Sequence, residues 1–177
     1  MKSRIILAGF GGQGIIVGGK LLAYAAMKEG REVTHYPSYG AEMRGGTCNC
    51  AVIISDEPIA SPIINESDIT VVLNLPSKNK FEKTVVKKGI MLMNSSLIDA
   101  VPGGDLKYFN VPASLIAEES GSVRATNMVM LGALSKISEL VSIDSLVASI
   151  KEVFPNITEN LMSININAMK TGYEKVK

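Results

Sequence analysis

Apolar positions along the 177-residue chain follow two different rhythms. Through the first two thirds they come in short unbroken runs closed off by glycine, proline or polar clusters. In the last third they recur every three or four positions. Unbroken runs fit strands covered on both faces, whereas the wider spacing fits helices with one buried stripe. Residues 4–8 (Arg-Ile-Ile-Leu-Ala) are the predicted first strand. After a group of glycines, Ile15, Leu22 and Ala26 recur at helical spacing, and Gly30 is a natural stop. Gly18 and Gly19 sit inside that helix at a cost of about 1 kcal/mol each relative to alanine, so close packing against the helix is expected there.

Residues 32–36 predict a second strand, 37–46 a long polar loop punctuated by glycine, and 49–55 a third strand. Further strands are predicted at 69–73 and 89–93, with a surface helix over 77–88 between them, and a last strand at 106–111. This alternation predicts βαβ units and a mainly parallel sheet. Helical stripes follow at Met130, Leu134, Ile137 and Val141, at Val147, Ile150 and Phe154, and at Met162, Ile166, Met169 and Tyr173. Asn156 with Glu159 is the predicted capping box of the final helix. The expected architecture is α/β: one Rossmann-like domain over residues 1–177, with a mainly parallel sheet flanked by helices and a helical C-terminal third.

Charge narrows the range of partners. Eighteen basic and 17 acidic residues are mixed along the chain, leaving a net charge of +1 and no basic stripe for a run of phosphates. Nucleic acid is therefore not an expected partner. No stretch approaches the roughly 20 apolar residues that span a bilayer, and the first apolar run is too short for a signal peptide. A cytoplasmic protein without membrane contact is expected. Cys48 and Cys50 are read as lying on opposite faces of a strand, which opposes a bond or a shared metal between them. They are expected to be packed, reduced thiols, and no metal site is predicted.

The candidate chemistry begins at Gly9-Phe10-Gly11-Gly12-Gln13-Gly14, a G-x-G-x-x-G spacing between a predicted strand and a predicted helix. Gly9 would allow the tight turn, Gly11 the close approach of a ligand, and Gly14 tight packing of helix on sheet. The helix start behind them offers free N–H groups and partial positive charge to a phosphate or carboxylate. Three readings fit: an anion site, a dinucleotide site, or a turn that only packs. A dinucleotide enzyme is expected to carry a carboxylate near the end of the second strand. That strand ends at His35 and Tyr36, with Glu32 at its far end.

The second candidate is the loop 37–46. Ser38, Tyr39, Glu42, Arg44, Gly45 and Gly46 place a ring, a carboxylate and a guanidinium close together on a flexible backbone, and tyrosine and arginine concentrate at binding hot spots. An internal Glu42–Arg44 ion pair is the plainer alternative. His35 lacks a partner motif and is expected to be structural. The lysines at 78, 80, 83, 87 and 88 are expected to form a solvated helix face, and the nine methionines to fill core.

Four blocks in order, at 9–14, 38–46, 52–59 and 127–132, resemble the gamma subunit of the 2-oxoacid:ferredoxin oxidoreductases. The resemblance runs from the first strand to the helix after Thr126. It implies a subunit of an enzyme that oxidatively decarboxylates a 2-oxoacid with coenzyme A to an acyl-CoA, carbon dioxide and reduced ferredoxin. It implies alpha and beta subunits as partners, with a delta, ferredoxin-like subunit as a further one. Thiamine diphosphate, magnesium and iron–sulfur clusters are expected on those partners. On this chain, Gly9, Gly11, Gly12, Gln13, Gly14, Ser38 and Tyr39 are the candidate coenzyme A contacts. Tyr39, Glu42, Arg44, Gly45 and Gly46 are the candidate partner contacts, and no catalytic residue is assigned. The stretch 43–49 resembles the 2-oxoglutarate and branched-chain members. The alternative reading is a free-standing nucleotide-dependent oxidoreductase.

Overall fold

The computed structural model describes residues 1–38, 47–99 and 103–177. Six strands form one sheet: β1 (Lys2–Phe10), β2 (Glu32–Pro37), β3 (Thr47–Ser55), β4 (Ser67–Val72), β5 (Val85–Asn94) and β6 (Lys107–Val111). Their order across the sheet is β2-β3-β1-β4-β5-β6. β1, β4, β5 and β6 run parallel to one another, while β3 is antiparallel to both β1 and β2. The sheet is thus mainly parallel, as expected, but the second strand does not lie beside the first. The residues explain the order. β3 carries Cys50, Val52, Ile53 and Ile54, all fully buried, and suits an interior position. β2, with Glu32, Thr34 and Tyr36, suits an edge open to water.

Helices α1 (Ile15–Lys28), α3 (Ala113–Glu119), α4 (Thr126–Ser138), α5 (Ile143–Val153) and α6 (Glu159–Lys175) gather over one face of the sheet. There they bury Ile5, Leu7, Val52, Ile54, Val71 and Leu92 in the larger core. The opposite face, with Ile6, Ala8, Val72, Met91 and Met93, packs a smaller cluster that includes Phe81 from α2 (Leu75–Phe81). Among the described residues, no helix is long and apolar enough to cross a membrane.

The predicted helix over 77–88 is shorter and starts earlier. Asn74 accepts from the Ser77 amide at 2.9 Å and a proline fills the first turn, which sets the start of α2 at Leu75. The helix passes into a 3-10 turn over Glu82–Thr84. Val85 then enters β5 and pairs with Ser67, so Lys87 and Lys88 are strand residues. Lys78 is buried and bonded to Glu82 at 3.0 Å, while Lys80 reaches Thr47 at 3.1 Å. The expected solvated lysine face is therefore not present as one surface. Helix α6 is capped by Thr158, which accepts from the Leu161 amide at 3.4 Å, and not by Asn156. Glu159 becomes its first residue, where a carboxylate favours the helix dipole.

The two cysteines also depart from expectation. Residues two apart on a strand share a face, and Cys48 and Cys50 both point into the larger core as free thiols. Burial, with a smaller contribution from Cys48, pushes the Cys50 thiol up to about 12, and its sulfur donates to the Ile15 carbonyl at 3.4 Å. A thiol held in that state is a packing group. The expected tight packing at Gly19 is present: a Cβ there would lie 2.4 Å from the Cys50 sulfur. An even closer contact joins α4 to α6, where a Cβ on Gly132 would lie 1.8 Å from the Met169 carbonyl oxygen.

Candidate site at the glycine turn

β1 delivers the glycine turn to the carboxyl edge of the parallel strands, the edge where open α/β sheets bind ligands. Gly9 is the penultimate residue of β1 and not part of the turn. It is needed for close approach, because a Cβ there would lie 2.7 Å from both the Gln13 side-chain oxygen and Ile15 Cδ1. The turn itself is made by Gly12 and Gly14, with φ of 91° and 71°. Both angles lie in the region that favours glycine.

Gly14 is the N-cap of α1, so no side chain caps this helix, and its first turn holds no acidic residue. Among the described residues, no group accepts a hydrogen bond from the amides of Ile15, Ile16 or Val17. These amides and the helix dipole form a site for negative charge. Gly11 and Gly12 are exposed beside them. Gln13 turns inward instead. Its side-chain oxygen accepts from the Phe10 amide at 2.7 Å and from Asn74 Nδ2 at 3.0 Å, so it braces the turn against the end of β4.

Gly14 packs helix to helix and not, as expected, helix to sheet. A Cβ at Gly14 would lie 2.5 Å from Asn127 Nδ2, and that nitrogen donates to the Gly14 carbonyl at 3.1 Å. The blocks 9–14 and 127–132 thus meet at the starts of α1 and α4. Among the described residues, the buried Oδ1 of Asn127 has no partner. Beside it opens a cavity of about 590 Å³ bordered by Gly14, Arg124, Asn127, Phe154, Leu161 and Ile164. Among the described residues, its lining contains one cation, no carboxylate and mostly apolar walls, which suits an anionic group attached to an apolar body. Sequence reading gave Arg124 and Asn127 no site role. More than one hundred residues separate them from the turn, and no local spacing announces the meeting.

Ser38 reaches the same edge from β2, where its amide donates to the Asn49 carbonyl at 3.0 Å. β3 lies between it and β1, a separation of two strand spacings, roughly 10 Å. Tyr39, Glu42, Arg44, Gly45 and Gly46 lie outside the described residues. The block 52–59 belongs to the other edge of the sheet, where Asp56 pairs with the N-terminal amine and with Arg31.

The strand order bears directly on the dinucleotide reading. A ribose-holding carboxylate acts from a second strand adjacent to the first, and here β3 takes that place. Glu32 pairs with Ser55, which in turn pairs with Lys2, so its backbone lies at the edge opposite the glycine turn. His35 packs beside Gly19, with Nε2 buried and without a hydrogen-bond partner among the described residues. Burial lowers its pKa below the ordinary histidine value, favouring the neutral ring. Among the described residues, no cluster of three or more His, Cys, Asp or Glu side chains is placed to hold a metal.

A family model described as pyruvate ferredoxin/flavodoxin oxidoreductase matches residues 4–175. The ketoisovalerate oxidoreductase subunit VorA of Methanothermobacter thermautotrophicus is 40% identical over 97% of this chain, which spans only 36% of that protein's length. The structure of the keto/oxoacid ferredoxin oxidoreductase gamma subunit from Geobacter sulfurreducens superposes with a TM-score of 0.85 and 27% identity. That match covers 98% of this chain and 97% of the other. The 2-oxoglutarate:ferredoxin oxidoreductase of Magnetococcus marinus, solved with 2-oxoglutarate, coenzyme A and succinyl-CoA bound, superposes with a TM-score of 0.88 and 26% identity. There the match covers 98% of this chain but 30% of the other. From the match over almost its whole length, this chain belongs to the pyruvate ferredoxin/flavodoxin oxidoreductase family, and its likeness is to the gamma-type part of it.

Proposed function

We propose that the chain works as one domain, the gamma subunit of a cytoplasmic, multisubunit 2-oxoacid:ferredoxin oxidoreductase. The assembly oxidatively decarboxylates a 2-oxoacid with coenzyme A, giving acyl-CoA, carbon dioxide and reduced ferredoxin. Alpha and beta subunits carry the thiamine diphosphate, magnesium and iron–sulfur chemistry, with a delta, ferredoxin-like subunit where the assembly has one. This chain shapes the approach to their active site. The glycine turn and Ser38 contribute to holding coenzyme A, and the loop 39–46 contacts the catalytic subunits.

The observation that carries this reading is the uncapped start of α1. Its amides at Ile15, Ile16 and Val17 have no acceptor among the described residues and no acidic neighbour in the first turn. A phosphate of coenzyme A matches that chemistry, and the apolar cavity beside Gly14 suits a less polar part of the same ligand. A carboxylate placed at the mouth should compete with the phosphate. Gly12 serves for this, because a Cβ there meets nothing within 4 Å, although its φ of 91° strains any side chain.

In the assembled enzyme, Gly12→Asp is expected to raise the KM for coenzyme A about tenfold, and Gly12→Ala, which carries the strain without the charge, by much less. Steady-state kinetics with coenzyme A as the varied substrate decides it. An unchanged KM in Gly12→Asp removes the ligand role and leaves the turn only a packing function.

A further inference from the structure

Four turns follow the carboxyl ends of the parallel strands, at 10–14, 73–77, 94–98 and 112–116. None of their residues is charged, in a chain where 20% of all residues are. Each turn nevertheless presents a large apolar side chain to solvent: Phe10 at 39%, Leu75 at 41%, Leu97 at 50% and Leu115 at 52% exposed. The strands are adjacent in the order β1-β4-β5-β6. Their spacing places the four turns along one edge of roughly 15 Å.

The turns are also locked to one another. Gln13 accepts from Asn74 Nδ2 at 3.0 Å, joining the first to the second. Asn94 Nδ2 donates to the Leu73 carbonyl at 3.3 Å and to Ser114 Oγ at 2.9 Å, while its Oδ1 accepts from the Ala113 amide at 3.0 Å. The Leu115 amide donates to Ser96 Oγ at 3.2 Å, closing the row. A surface held rigid before contact loses little conformational entropy on binding. Loss of charge with exposed aliphatic and aromatic groups is the composition of an interface centre.

We infer that this edge, from Phe10 through Leu75 and Leu97 to Leu115, is a docking surface for a catalytic subunit of the same enzyme. The inference rests on the subunit reading above and extends it from the glycine turn to three turns that no sequence motif marks. The occupant follows from how the fold occurs in its relatives. In two relatives the matching segment is 36% and 30% of a longer polypeptide, whereas in the 2-oxoglutarate synthase subunit KorC of Methanocaldococcus jannaschii it is 95% of the chain, so the fold occurs both joined to further protein and as a separate subunit, and in either form that further protein is its standing neighbour. The three turns beyond the glycine turn, uncharged in sequence and preorganised, fit such a permanent neighbour, while the glycine turn itself is left to the phosphate.

The test co-expresses the chain with its catalytic subunits and measures association by biolayer interferometry and co-elution. Leu97→Asp with Leu115→Asp should raise the Kd about 30-fold or more. Leu97→Ser with Leu115→Ser should raise it less but measurably, and circular dichroism should report native helix content in both. Ile63→Asp is the control. Ile63 is 65% exposed, but it lies in the connection between β3 and β4, which leaves and rejoins the sheet at its other edge, and should leave association unchanged. Wild-type binding with equal affinity in the double variants overturns the docking surface while leaving the subunit reading intact. No wild-type binding to any catalytic subunit overturns both. If the substitutions instead dissolve a wild-type homodimer and leave subunit affinity unchanged, the occupant is a second copy and the inference is wrong.

Discussion

At the amino ends of the parallel strands the sheet is edged by the N-terminal amine, Arg4, Asp56 and Asp68, whereas at their carboxyl ends it is edged by Gln13, Asn74, Asn94 and Ser114. The first edge is held by ion pairs open to water: the amine and Arg31 on Asp56, and Arg4 on Asp68 at 2.8 Å. The second is held by neutral amides, of which Asn74 and Asn94 are buried. Solvated ion pairs contribute little and weaken with salt. A buried amide that satisfies several backbone groups leaves each of them costly to abandon. The edge held by neutral amides is therefore the rigid one, and rigidity lies where the glycine turn must keep its shape.

The largest effect should come from the neutral edge. Asn94→Ala strands the Ala113 amide and the Leu73 carbonyl, and should destabilise the fold by about 3 kcal/mol in urea titration. A loss below about 1 kcal/mol would mean that the amide row is ornamental and the two edges do not differ. Gln13→Ala should cost less, about 1–2 kcal/mol, since the Phe10 amide near the surface regains water. Hydrogen exchange at Phe10 should quicken in this variant, and an unaltered rate would show that the turn needs no brace.

The smallest effect belongs to the charged edge. Burial raises the Asp68 carboxyl, but the hydrogen bonds and charge of Arg4 outweigh it and hold the pKa below its ordinary value. The stability contributed is complete above the unfolded value of about 4 and is lost as pH falls through the lowered folded value. Both partners are about one-third exposed, so Asp68→Asn should cost at most about 1 kcal/mol at neutral pH. The difference from wild type should shrink in 1 M salt and vanish in acid. Persistence of the full difference in acid would show that Asp68 acts by packing, and the contrast between the edges would fail.

Much of this architecture is legible without coordinates. Ile5-Ile6-Leu7-Ala8 between polar residues and glycines can be little other than a buried strand, and Gly14 followed by Ile15 and a helical stripe marks the start of α1. The shared face of Cys48 and Cys50 follows from strand periodicity alone. The start of α2 was also within reach, because Asn74-Leu75-Pro76 is a local capping signal. The meeting of Asn127 with Gly14 was not. It depends on which way α4 crosses α1, set by the sum of many weak packing contacts, including the glycine contact of α4 with α6.

The sequence alone determined the strand, turn and helix that present free amides, the helical last third and the family resemblance, because each is written in neighbouring residues. Only the tertiary structure decided that β3 separates β2 from β1, that Gln13 braces the turn, and that four uncharged turns share one edge. Those outcomes depend on strand order and on contacts between residues far apart in the chain. Periodicity fixes which face a residue takes, but not which strand becomes its neighbour.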